Sequence, residues 1–179
     1  MSASTGTTRG SAGRSVGPST ARAAALRGTL SLALGGWIGA WGFFAFGVSR
    51  LAFRVLPGDV AGNLAGSLLH TLHLGGAAAA FTTAAVLWAL GRRGAVVVVP
   101  VVLGLVCVGS ELWLSPAVAA LRPSTLGAAS TEETQTRFRL LHGLSLGLFM
   151  LIHLASFALL GWITWLEARD RESAASQGQ

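Results

Sequence analysis

The sequence has one cysteine, no lysine and only seven acidic residues in 179 positions. The single Cys107 excludes an intramolecular disulfide. It lies in an apolar run, where it reads as a small buried hydrophobe. Without lysine, all 13 basic residues are arginine, a usage that reflects genomic base composition more than mechanism. Charged residues make up 11% of the chain, about half of what a soluble globular domain carries. The net charge of +6 invites a nucleic-acid reading. The arginines, however, flank apolar runs and form no basic stripe between aromatics, so nucleic acid is not an expected partner. Catalytic signatures are missing too: there is no CxxC, HExxH, P-loop or GxGxxG fingerprint, and no GxSxG in a usable context. No enzyme class follows from the sequence.

What the chain does have is length in apolar runs. Hydrophobic residues make up 52% and the mean hydropathy is +0.62. About 20 residues cross the hydrocarbon core as a helix. Four runs reach that length, at about residues 29–49, 62–90, 94–114 and 140–166. The last is the clearest, with Arg137 and Arg139 before it, Glu167 and Arg169 after it, and Trp162 and Trp165 near its exit as interfacial anchors. The expected fold is all-α, an integral membrane four-helix bundle with short loops spanning residues 29–166. Residues 1–28, rich in Ser, Thr, Gly and Ala, read as a disordered tail with a short helix near 21–26. Residues 167–179 read as a polar tail. The first run is too long for a secretory signal core and reads as a retained span.

Finer signals follow in order. Gly35 and Gly39 make a small-xxx-small pattern that lets another helix approach. Trp37 and Trp41 share a face near mid-span and read as packing inside the bundle. Pro57, Gly58 and Asp59 make a turn, with Asp59 a candidate cap. Pro100 sits within the third span and can kink it. The valine-rich start of that span would favour a strand in water, but in a bilayer only a helix satisfies its backbone. Residues 115–136 form the longest expected loop. Ser130 with Glu133 fits a capping box for the last helix, and Glu133 with Arg137 an i,i+4 ion pair. With the N-terminus inside, six arginines close to span ends (Arg22, Arg27, Arg92, Arg93, Arg169, Arg171) face five outside (Arg50, Arg54, Arg122, Arg137, Arg139). That bias predicts both termini cytoplasmic, in a multi-pass protein of the inner (plasma) membrane.

On this topology the ionisable residues collect toward the outer end: Arg50, His70, His73, Glu111 and His142, with His153 deeper. Arg50 either snorkels to headgroups or turns inward to meet Glu111. His70 and His73 are three apart and share a face; so do His142 and His153, eleven apart. Intramembrane ionisable groups mark a site by default. They serve equally to hold helices together by polar packing.

Three stretches, residues 35–57, the small-residue second span and residues 137–160, resemble the family of four-helix membrane proteins related to transmembrane protein 205, whose bacterial members carry a domain of unknown function. The His-Gly-x-Ser element of that family falls on His142, Gly143 and Ser145. Its aromatic first helix falls on Trp37, Gly39, Phe43, Phe44 and Phe53. Phe149 stands where members often have Asn. The resemblance covers roughly residues 29–166 and implies a four-helix fold with no settled activity. A more distant likeness, in the Trp-x-Gly of the first helix and in span histidines, is to copper-resistance membrane proteins and to a small haem-associated protoporphyrinogen oxidase. Three functions are therefore carried forward. One is a structural or interaction component without cofactor, whose partners are the bilayer and a second copy or another membrane protein. The second is a redox protein holding haem b or copper through two histidines on different helices, His73 or His70 with His153 or His142, with Glu111 or a backbone carbonyl on the other ring nitrogen. The third is a component of small-solute transport.

Overall fold

A computed structural model describes residues 18–177. Among the described residues the chain is helical throughout, without a strand, and four helices are long and apolar enough to cross a membrane. They are span 1 (Thr20–Val55), span 2 (Gly58–Ala89), span 3 (Ala95–Ala120) and span 4 (Glu132–Gln177). The chain is a four-helix integral membrane protein of the multi-pass class.

The connections follow from local chemistry. Span 2 ends in a Schellman closure: Arg92 N–H donates to Leu87 O at 2.9 Å and Gly91 N–H to Trp88 O at 2.9 Å. Gly91 stands at φ 82° and Gly94 at φ 75°, a region where a Cβ would be strained. The loop between them turns spans 2 and 3 into an antiparallel hairpin. At the opposite end Leu56 and Pro57 break the chain between spans 1 and 2. Pro57 is the N-cap, and Asp59 lies in the first turn without a side-chain capping bond.

Several expectations about ends are corrected. The first helix begins at Pro18, so the short helix expected near 21–26 is part of its opening turns and the expected tail does not reach residue 28; residues 1–17 lie outside the described residues. The expected loop 115–136 is mostly helical. Span 3 continues through Ala120, Pro123–Leu126 forms a short helix, and Gly127–Ala129 a 3-10 turn. The run of small and apolar residues there sustains a helix that its Pro and Ser seemed to forbid. The last helix is capped one residue later than expected, by Thr131 and Thr134. Thr134 N–H donates to Thr131 Oγ1 at 3.3 Å and Thr131 N–H to Thr134 Oγ1 at 2.8 Å. Glu133 and Arg137 do pair, at 3.2 Å. The polar segment after Leu166 continues as helix to Gln177.

Two spans carry a π-helical turn, at Phe44–Val48 in span 1 and Ser110–Leu114 in span 3. Both lie toward the end of the bundle away from the described termini. The core collects Leu34, Trp37, Trp41, Leu87, Cys107 and Ile152 from all four spans. Large apolar side chains such as Leu32, Phe43, Leu105 and Leu151 are exposed outside it. In water that would be a liability; against lipid tails it is the expected outer surface.

Candidate functional site

The site is built on the π-helical turn of span 3. A π turn widens the helix by one residue and is common where a side chain must be re-aimed. Here it carries Glu111, the acidic residue that the sequence placed inside a span. Its Oε1 accepts the Nδ1–H of His70 at 2.5 Å. Its Oε2 accepts the Nδ1–H of His73 at 3.3 Å and the Ser115 hydroxyl at 3.2 Å. The i,i+3 spacing of the two histidines on span 2 presents both imidazoles to one carboxylate. Exposure falls along the set: the side chain is 56% exposed at His70, 13% at Glu111 and 3% at His73. An imidazole at the protein surface and one in the core thus share a single acceptor, a continuous hydrogen-bonded path between spans 2 and 3. Nearby, Arg122 from the connection after span 3 donates to Asn63 Oδ1 at 3.1 Å and ties that connection back to span 2.

Inward of this carboxylate stands Trp41. Its Nε1–H donates to Leu72 O on span 2 at 3.2 Å. Its face stacks on Phe149 of span 4, with centroids 4.4 Å apart and planes 4° apart. His153 stacks on it at 6.5 Å, and His73 meets it edge-on at 5.8 Å. One indole therefore touches both buried histidines and joins spans 1, 2 and 4. His153 is buried, its Nδ1 without a hydrogen-bond partner. Its ring packs edge-on against Phe157 at 4.9 Å.

The other expected members stand apart. Arg50 is exposed and not among the partners of Glu111, so the inward alternative is corrected: the carboxylate takes His70, His73 and Ser115 instead. His142 is exposed and stacks on Phe138 at 5.4 Å. It shares a helical face with His153, but that face is exposed at His142 and buried from Phe149 to His153. Ser145 is half-buried on span 4 and takes part in none of these bonds. Ser115 was not anticipated, although its i,i+4 spacing from Glu111 was readable. Nor was the bridging role of Trp41, since no sequence signal says which helices an aromatic face will meet.

The family described as Domain of unknown function (DUF4149) matches residues 32–126. The chain belongs to that family. The DUF4149 match takes in Trp41, His70, His73, Glu111 and Ser115 with both π-helical turns. It stops before span 4, so His142, Ser145 and His153 lie outside it. No curated protein and no solved structure matches the chain.

Proposed function

We propose that this DUF4149 protein is a structural or interaction component of the plasma membrane, with both termini cytoplasmic and its Glu111 network acting as a polar lock between spans 2 and 3. The observation that carries this reading is the pairing of His70, His73 and Ser115 with the one carboxylate of Glu111. One carboxylate takes two imidazoles and a hydroxyl, so both of its oxygens are engaged within the protein. Exposed Gly35 and Gly39, where an added Cβ would meet nothing within 4 Å, support a second copy or another membrane protein as partner at span 1. The arginine bias supports the orientation, and the aromatic first span with the His142-Gly143-x-Ser145 element supports kinship with the proteins related to transmembrane protein 205.

A second reading, a haem- or copper-binding redox protein, is favoured by two observations. His73 has its Nδ1 on Glu111, the outer partner that a metal-ligating imidazole uses, and His153 Nδ1 is buried and unpartnered. Trp41 weighs against a haem there, because its indole packs on both rings. For copper, no group of three or more His, Cys, Asp or Glu side chains stands in metal-holding geometry among the described residues. An absorbance spectrum with metal analysis separates the readings, using folded, detergent-purified protein from cells given copper and haem precursor. The polar-lock reading expects a colourless, metal-free preparation. A Soret band or stoichiometric copper, lost in His73→Ala and in His153→Ala, would replace it with the redox reading.

A further inference from the structure

The opposite end of the bundle carries a second group of charges that the Glu111 site does not use. A cleft of about 240 Å³ opens there between spans 1, 2 and 4. Its walls carry Arg27, Arg92, Glu167 and Asp170, and its floor is apolar, with Leu87, Leu90, Ile163 and Leu166 among the lining residues. Arg27 and Glu167 are 4.0 Å apart, at the outer limit of an ion pair, and Arg92 bonds to Asp170. Arg171 reaches Glu167 at 3.5 Å from outside the cleft.

The depth of this cleft is marked independently. Trp88 and Trp165 are both exposed, and each lies under an arginine: Arg93 at 5.4 Å from the Trp88 ring centre and Arg169 at 4.7 Å from that of Trp165. Exposed tryptophans capped by arginine belong at the headgroup level. Trp88 and Trp165 are interleaved in sequence with the lining residues Leu87, Leu90, Ile163 and Leu166, so the cleft opens at the same level. Its volume is below the roughly 300–1,000 Å³ of pockets for drug-sized ligands and suits a smaller group.

We propose that this cleft binds a phospholipid headgroup bearing both a phosphate and a primary ammonium, the phosphoethanolamine type. The lining charges balance, two positive against two negative. The phosphate bridges the guanidiniums of Arg27 and Arg92, and the ammonium donates to the carboxylates of Glu167 and Asp170. Each existing ion pair is exchanged for another, and no charge is left alone in the interface. An anionic headgroup without the ammonium would set its phosphate against Asp170 with no cation left to answer it, and against Glu167 held by Arg171 alone. A trimethylammonium group has no N–H to donate. The apolar floor takes the start of the lipid body, which a free headgroup lacks.

Native mass spectrometry of the full chain in detergent tests this. The probes are phospholipids of matched acyl chains: phosphatidylethanolamine, its N-methyl and N,N-dimethyl forms, phosphatidylcholine and phosphatidylglycerol. Occupancy should fall step by step with methylation, with phosphatidylethanolamine favoured about ten-fold over phosphatidylcholine, the worth of one charge-assisted hydrogen bond. Phosphatidylglycerol should bind more weakly than phosphatidylethanolamine. The double variant E167Q/D170N should lose the methylation dependence while its helical circular dichroism persists. Equal occupancy along the methyl series in the unmodified chain would overturn the proposal whether or not the variant folds. So would a preference that survives in a folded double variant. Competition by soluble glycerophosphoethanolamine at the lipid's own concentration would overturn the assignment to a lipid.

Discussion

Gly76 is where spans 1, 2 and 3 close on one another. A Cβ built on it would lie 2.9 Å from Trp37 Nε1, 3.3 Å from Trp41 Cζ2 and 3.4 Å from Cys107 Sγ. For Gly76→Ala two effects compete. Alanine is the better helix former, by about 0.8–1 kcal/mol. Against that, overfilling a packed core costs about 1–3 kcal/mol. The outcome depends on whether the indoles can retreat. Trp37 and Trp41 are both buried and meet edge-on at 6.3 Å, and Trp41 is pinned by its bond to Leu72 O and its stack on Phe149. A cage of that kind puts the overpacking term in the upper part of its range, leaving a net loss of about 1–2 kcal/mol. At about 2–4 °C per kcal/mol for a chain of this length, Tm should fall by roughly 2–8 °C. Gly161→Ala is the comparison, because a Cβ there meets nothing within 4 Å and only the propensity gain acts. Thermal unfolding of both variants in one detergent, followed by circular dichroism, reads the difference. A Gly76→Ala chain as stable as the Gly161→Ala chain would refute the claim that the three spans close on a glycine.

Three further outcomes are expected. Glu111→Ala removes both carboxylate bonds to span 2 and should lower stability by about 1–2 kcal/mol, at the modest worth of interhelical hydrogen bonds in membranes. His70→Ala removes one bond at an exposed position and should cost less; equal losses in the same unfolding assay would mean that the pair His73–Glu111 holds nothing. Reporter fusions at residues 125 and 179 should report opposite compartments, and a cytoplasmic signal at residue 125 would invert the bundle and place the Glu111 network on the inner side.

The four spans were legible because length and apolarity alone decide whether a helix can cross a bilayer. The pairing of His70 with His73 was legible because three residues of helix bring side chains to one face. The partner of Glu111 was left open, between these histidines and Arg50. An arginine at a span end has two short routes, outward to headgroups or inward to a carboxylate, and sequence does not rank them; Arg50 is exposed and does not pair with Glu111. The start of span 4 was ambiguous for a similar reason. Ser130 with Glu133 and Thr131 with Thr134 share the capping spacing, and only the geometry selects the second. The π-helical turns left no compositional trace. They change how many residues fill a turn, not which residues do so.

Those turns bear on how the length of a span can change over time. In an α-helix, inserting or deleting one residue rotates everything beyond it by about 100°, which would swing a lipid-facing side chain toward the core. A π-helical turn absorbs an added residue within itself, so the helix on either side keeps its faces. Phe44–Val48 and Ser110–Leu114 are therefore the two places where these spans tolerate a change of length by one residue. Relatives that lack the extra residue in the second turn would still present the same core, with Trp41 and Cys107 in place. Their carboxylate would no longer be aimed at the two histidines. A one-residue gap at Ser110–Leu114 in a related sequence is thus a mark by which bundles that keep the Glu111 network can be told from bundles that keep only the fold.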